Sequence, residues 1–113
     1  MGRLNFSRGR LRSADLSGLD LQGAFLTHAD LVDANLHSAS LQTADLHAAD
    51  LRRARMCKAN LRYAIMSHAD LTQADLRNAR LAGSSLRGVQ HDRTTRWPPG
   101  YRALLWFLHA LGG

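Results

Sequence analysis

The chain contains no glutamate, only one cysteine, Cys57, and only two prolines, which stand side by side as Pro98 and Pro99. Without glutamate there is no H-E-x-x-H zinc motif and no Glu-based acid/base pair. With one cysteine there is neither an internal disulfide nor a C-x-x-C redox or zinc pair. No apolar run approaches the roughly 20 residues of a membrane-spanning helix, and no stretch resembles a signal peptide. Residues 13–51 hold no lysine or arginine. These absences argue against secreted, membrane-spanning and metalloenzyme classes, and the single thiol suits a reducing cytoplasm.

What is present is a repeat. Stepping by five from Phe6 lands on Leu11, Leu16 and Leu21 and continues on Leu or Met to Leu86, seventeen positions in all. Two residues earlier the column is alanine at every step from Ala24 to Ala79. The residue between is commonly Asp or Asn, as in Ala14-Asp15-Leu16 and Ala34-Asn35-Leu36. On an α-helix a step of five turns about 140°, which smears the leucines around the axis. In a flat strand an odd step puts successive leucines on opposite faces. A chain that bends equally once per pentapeptide keeps every Leu and Ala inside. The outcome is a solenoid with a narrow core, stabilised by contacts between neighbouring coils.

The A-(D/N)-L-x-x unit closely resembles the pentapeptide-repeat family, and the resemblance covers about three quarters of the 113 residues. It implies an all-β solenoid, a right-handed quadrilateral β-helix of about four coils. The repeats occupy residues 4–88 within a solenoid of 1–90. An exit loop at 91–100 follows, then a short C-terminal α-helix at 101–113 that starts after Pro98-Pro99.

Charge is banded along the chain, although the net value is +6. Asp15, Asp20, Asp30, Asp33, Asp45 and Asp50 make residues 13–51 acidic. Most belong to the repeat, where their carboxylates can accept backbone N–H bonds at the bends. Arg52, Arg53, Arg55, Lys58 and Arg62 then form a candidate belt for an anionic partner. Two slots that usually carry Asp or Asn hold Phe25 and Ile65 instead. With His28, His47 and His68 they make a candidate contact patch. His28 and His68 share a column with Ala48 between them, and His47 lies one residue aside, so convergence on a metal ion is not expected.

Trp97 is a candidate lid on the core. With Tyr101, Leu104, Leu105, Trp106, Phe107, Leu108 and Leu111 it forms a set of candidate capping or dimer contacts. A helix apolar on nearly every side needs burial on more than one face, and the resemblance implies C-terminal homodimerisation. No catalytic constellation and no cofactor motif is present. The expected function is a non-enzymatic scaffold for an unidentified protein partner. The resemblance also offers a DNA-mimic, gyrase-binding role of the quinolone-resistance type, which requires an acidic rod and is opposed by the net charge. Direct nucleic-acid binding through the basic belt is the third reading.

Overall fold

The computed structural model describes residues 3–101. The helix expected over 101–113, with Leu104, Leu105, Trp106, Phe107, Leu108 and Leu111, lies outside the described residues apart from Tyr101.

The chain pairs with itself at a constant offset. Asn5 bridges Phe25, Phe25 bridges Asp45, and parallel bridges twenty residues apart continue to Asp70↔Gln90. A twenty-residue coil of four five-residue sides follows directly. Each side is so short that pairing occurs as single bridges, and no longer strand forms among the described residues.

One repeat accounts for all its backbone donors. In 44–48, the Ala44 N–H donates to Leu41 O at 3.0 Å and closes a turn, and the Asp45 N–H reaches back to Ala24 O at 2.9 Å. The Leu46 and Ala48 N–H groups reach forward to Ile65 O at 2.6 Å and Ser67 O at 2.9 Å. The fifth donor, the His47 N–H, bonds the Asp45 carboxylate Oδ1 at 3.0 Å. The same side-chain bond recurs from Asn5, Asp15, Asp20, Asp30, Asn35, Asp50, Asn60, Asp70 and Asp75. The Asp/Asn slot is therefore a structural acceptor for the one amide that no neighbouring coil can reach.

The bend has a conformational cost. The residue before each inward small residue sits at positive φ, between 57° and 62° in thirteen non-glycine residues, twelve before an alanine and Arg8 before Gly9. Left-handed backbone of this kind costs about 1–2 kcal/mol per L-residue. The inter-coil bonds and the buried column offset it in every repeat.

Leu26 through Leu76, with Met56 and Met66, are completely buried along the axis, and Ala24 through Ala74 are at most 1% exposed beside them. The expectation that every leucine is enclosed fails at the first coil. Leu4 is 50%, Phe6 38% and Leu19 46% exposed, because no described coil stacks below them. Val32 departs the other way: it stands in an outward turn slot, between Arg12 and Arg52 in its column, yet is fully buried.

Regular pairing also extends beyond the repeats read from the sequence. After Gln90 the offset grows by one residue and Asp75 bridges Arg96. The Arg96 N–H donates to Ala74 O, and its carbonyl accepts from Leu76 N–H. Residues 91–96 thus complete another side of the coil around a one-residue insertion. Trp97 follows, 9% exposed and packed on the core.

Candidate functional surfaces

Because the axis is filled, all candidate chemistry lies on the outer surface. Each corner of a coil carries two turn residues, and each side centres on an Asp/Asn slot. Residues twenty apart therefore form columns running along the solenoid.

The five-residue basic belt divides in two. Arg52 grips Asp50 through Nε at 2.8 Å and Nη2 at 2.7 Å. Arg53 reaches the preceding coil and holds Asp33 at 2.9 and 3.2 Å. Arg12 joins this paired group through Asp30, with Nε–Oδ2 at 3.0 Å. The bond from Arg53 lowers the Asp33 pKa. Burial pushes the Asp50 carboxyl up, but bonds from the Arg52 side chain and amide outweigh it, and the net shift is downward. Arg55 and Lys58 are exposed and form no ion pair with any described residue. Arg62 donates through Nε only to Asn60 Oδ1, at 3.1 Å. Pairing also withdraws Asp30, Asp33 and Asp50 from the acidic zone.

The histidines come together more closely than column counting implies. The two turn positions share one corner, so His47 sits between the rings of the neighbouring coils. His28–His47 and His47–His68 ring centroids are 5.8 and 5.6 Å apart, both edge-to-face. His47 Nδ1 lies 2.7 Å from Ser67 Oγ. Among the described residues no group of three or more His, Cys, Asp or Glu is arranged to hold a metal ion. On the adjoining side Phe25 and Ile65 flank Asp45 in one column. Ile65 is 42% exposed, and Phe25 is half-buried beneath Arg3, whose guanidinium carbon lies 4.0 Å from the ring centroid.

At the far end, Tyr101 stacks on Trp97 at 6.4 Å with a 13° interplanar angle, and His91 meets the same indole edge-on at 5.6 Å. A solvent-open hollow of about 580 Å³ beside them is lined in part by Arg77, Arg93, Arg96 and Trp97. Cys57 is partly buried near Asp75 and Arg77, and its thiol pKa is raised, chiefly by burial. No helix among the described residues is long and apolar enough to cross a membrane.

Sequence reasoning left Tyr63 as a lone aromatic and did not join Arg80 and Arg96 to the basic belt. Tyr63 is 61% exposed and lies against Gly83 of the next coil. Arg80 bridges Asn60, and Arg96 bridges Asp75 beside Arg55. A search at twenty-residue spacing finds the first two pairings; the inserted residue hides the third.

Parallel coils of constant offset around a filled apolar axis define a β-solenoid. The sequence matches the family described as pentapeptide repeats, with eight copies over residues 10–47 and 39–78. The chain belongs to the pentapeptide-repeat family, whose members fold as right-handed quadrilateral β-helices and are generally structural or interaction scaffolds. Among solved structures it is similar to Rfr23, a pentapeptide-repeat protein of the cyanobacterium Cyanothece 51142. The identity is 34% and the TM-score 0.55, over 84% of this chain and 61% of that one. It is also similar to alr5209 of Nostoc PCC 7120, with 37% identity and a TM-score of 0.50, over 91% and 81% of the two chains. This chain thus spans about three fifths of Rfr23. No curated protein matched the sequence.

Proposed function

We propose that the chain is a non-enzymatic scaffold that binds another protein through the side carrying Phe25 and Ile65 and the corner carrying His28, His47 and His68. The observation that supports this is the replacement of the structural Asp/Asn acceptor by apolar residues at two positions of one column. Each replacement forgoes a turn bond that ten other repeats make, and together they set partly exposed apolar surface beside three imidazoles in edge contact. Apolar surface framed by amphipathic rings suits a protein partner. Within this proposal the solenoid of about four coils, read from the sequence as 1–90, closes with the side at 91–96, the chain leads out of it from Trp97, and 101–113 is a helix that caps or dimerises through Leu104, Leu105, Trp106, Phe107, Leu108 and Leu111. The protein works in the cytoplasm and needs no cofactor. With half of the acidic slots between 13 and 51 held in ion pairs, no observation favours the gyrase-binding DNA-mimic role.

A photo-crosslinking residue placed at Thr27, in the turn beside the patch, tests the contact in a host-cell extract. A discrete adduct that disappears in Phe25→Asn/Ile65→Asn is expected. An adduct unaffected by that change, or none, removes this face as the contact. Sedimentation of the wild type against Leu105→Asp/Leu108→Asp tests the tail separately: a dimer that becomes a monomer is expected, and identical masses refute tail-mediated dimerisation.

A further inference from the structure

The geometry points to a second binding surface, beyond the scaffold reading: a single-stranded nucleic-acid track formed by Arg55, Lys58, Arg62, Arg80 and Arg96, with Tyr63 as its stacking platform. The division of the basic belt carries this inference. Arg52 and Arg53 are neutralised at one corner. The belt's remaining cations, Arg55, Lys58 and Arg62, together with Arg80 and Arg96, form no ion pair with any described residue and occupy the next two sides and the corners that bound them.

Arg55 and Arg96 flank Asp75 in one column. That carboxylate is already held by Arg77, Nη2–Oδ2 2.7 Å, so it does not neutralise either neighbour. Asp15 lies farther along the Arg55 column, across Asn35. Lys58 stands at the following corner among Gly18, Ser38 and Asn78, the uncharged residues twenty positions either side and forty before. Arg80 occupies the next side above Asn60 and Ser40, with Asp20 at the far end of the column. Arg62 lies at the last corner, in a column with Gln22, Gln42 and Ala82. By contrast, Asp30, Asp50 and Asp70 stack in a column on a different side. Charge is therefore separated around the rod as well as along it. Lys58, Arg62 and Arg80 face uncharged nearest neighbours, and Arg55 and Arg96 flank a carboxylate already held by Arg77; together they form a path for phosphates.

Tyr63 distinguishes this surface from a generic polyanion patch. Its ring lies so close to Gly83 that a methyl group there would fall 2.4 Å from Cδ1 and 2.5 Å from Cε1. The ring is thus held against the next coil while 61% of the residue stays exposed. It is adjacent to Arg62 in the chain and its corner adjoins the side of Arg80. An immobilised aromatic beside a cationic track binds the bases of a single strand by stacking, without sequence preference. A convex four-sided rod offers no element that enters a duplex groove.

The test is fluorescence anisotropy of the full chain with a labelled oligothymidylate of about 20 nucleotides. Five phosphate contacts give a slope of about −3.5 for log K against log salt, hence roughly a hundredfold weakening between about 50 and about 200 mM. Arg55→Ala/Lys58→Ala/Arg80→Ala is expected to reduce the slope to about −1.4. Tyr63→Ala is expected to weaken binding roughly tenfold, with Tyr63→Phe restoring it. Arg52→Ala/Arg53→Ala is expected to leave affinity within about twofold, because those cations are paired elsewhere; circular dichroism verifies that each variant is folded. The proposal is overturned if no binding occurs at low salt, or if Arg52→Ala/Arg53→Ala weakens binding as much as the track variant. Equal affinity for polyglutamate, or a preference for duplex of the same length, overturns it too.

Discussion

The Tyr63 ring rests on the backbone of Gly83, one coil further on, at a spacing that excludes any side chain at position 83. Gly83 also has φ +73°, so two independent constraints favour glycine there. Gly83→Ala is expected to destabilise the solenoid by more than about 1 kcal/mol, because alanine is strained at this positive φ and the ring must also lift. Urea unfolding of Gly83→Ala, Tyr63→Ala and the double variant measures both parts. The steric part should vanish in the double variant and the backbone part should remain. A fully additive cycle would show that the ring and the glycine are not coupled.

Ser40 occupies an Asp/Asn slot, and the Gln42 N–H two residues on makes no hydrogen bond within the described structure. In ten other repeats a side-chain Oδ1 meets the equivalent amide. Ser40→Asn is expected to stabilise the fold by about 0.5–1 kcal/mol, the net worth of one such bond. Asn is preferred over Asp, since Asp20 stands in the same column. The converse substitution, Asn35→Ala, removes the His37 bond at 3.1 Å and should destabilise by a similar amount. Thermal melts that place both variants at the wild-type midpoint would deny the slot its structural role.

Acid should weaken the protein in a defined window. Asp75 has its pKa lowered to about 2, first by the Arg77 hydrogen bond and against the opposing effect of burial. A carboxyl whose folded value lies below its unfolded value of about 3.9 binds more protons when unfolded. Its contribution is thus fully present above about pH 4 and is lost as pH falls towards about 2. Arg77→Met should raise the Asp75 pKa and flatten that part of the stability profile. Carbon-detected NMR titration of the Asp75 carboxyl, with melts between pH 2 and pH 5, follows both. An unchanged midpoint in Arg77→Met would mean that Arg77 does not set it.

The fold was legible because the pentapeptide period, one axial residue in every five, rules out helix and flat strand without any tertiary information. The repeat's Asp was equally legible as an acceptor at the bend. Surface assembly was less so. His28, His47 and His68 come together only because two consecutive turn positions share a corner, a geometric fact that column arithmetic at fixed spacing overlooks. Val32 reads as an outward residue and is buried, since a corner slot can close between long neighbours such as Arg12 and Arg52. The pairing of Arg53 with Asp33 spans twenty residues and depends on rotamers that no linear charge count contains. Pairing beyond Gln90 was hidden by the single residue inserted there.

That insertion is held by Thr95, which is 1% exposed. Its hydroxyl donates to Leu71 O at 2.9 Å and accepts from the Asp92 N–H at 3.2 Å, so one oxygen ties the extra residue to the preceding coil. Two residues later Trp97 closes over the core. Thr95→Val keeps the shape but leaves the Asp92 amide without this acceptor, and should destabilise by about 1–2 kcal/mol. Thr95→Ser, which retains the hydroxyl, should lose less than Thr95→Val. Because the insertion sets the register in which Trp97 arrives, loosening it should also expose the indole. In a Trp106→Phe background, where Trp97 is the only tryptophan, Thr95→Val should increase acrylamide quenching and shift emission to the red. If stability fell while Trp97 stayed as protected as in the parent, the threonine would hold only its local turn, and the lid would be positioned by its stacking with Tyr101 and His91 instead.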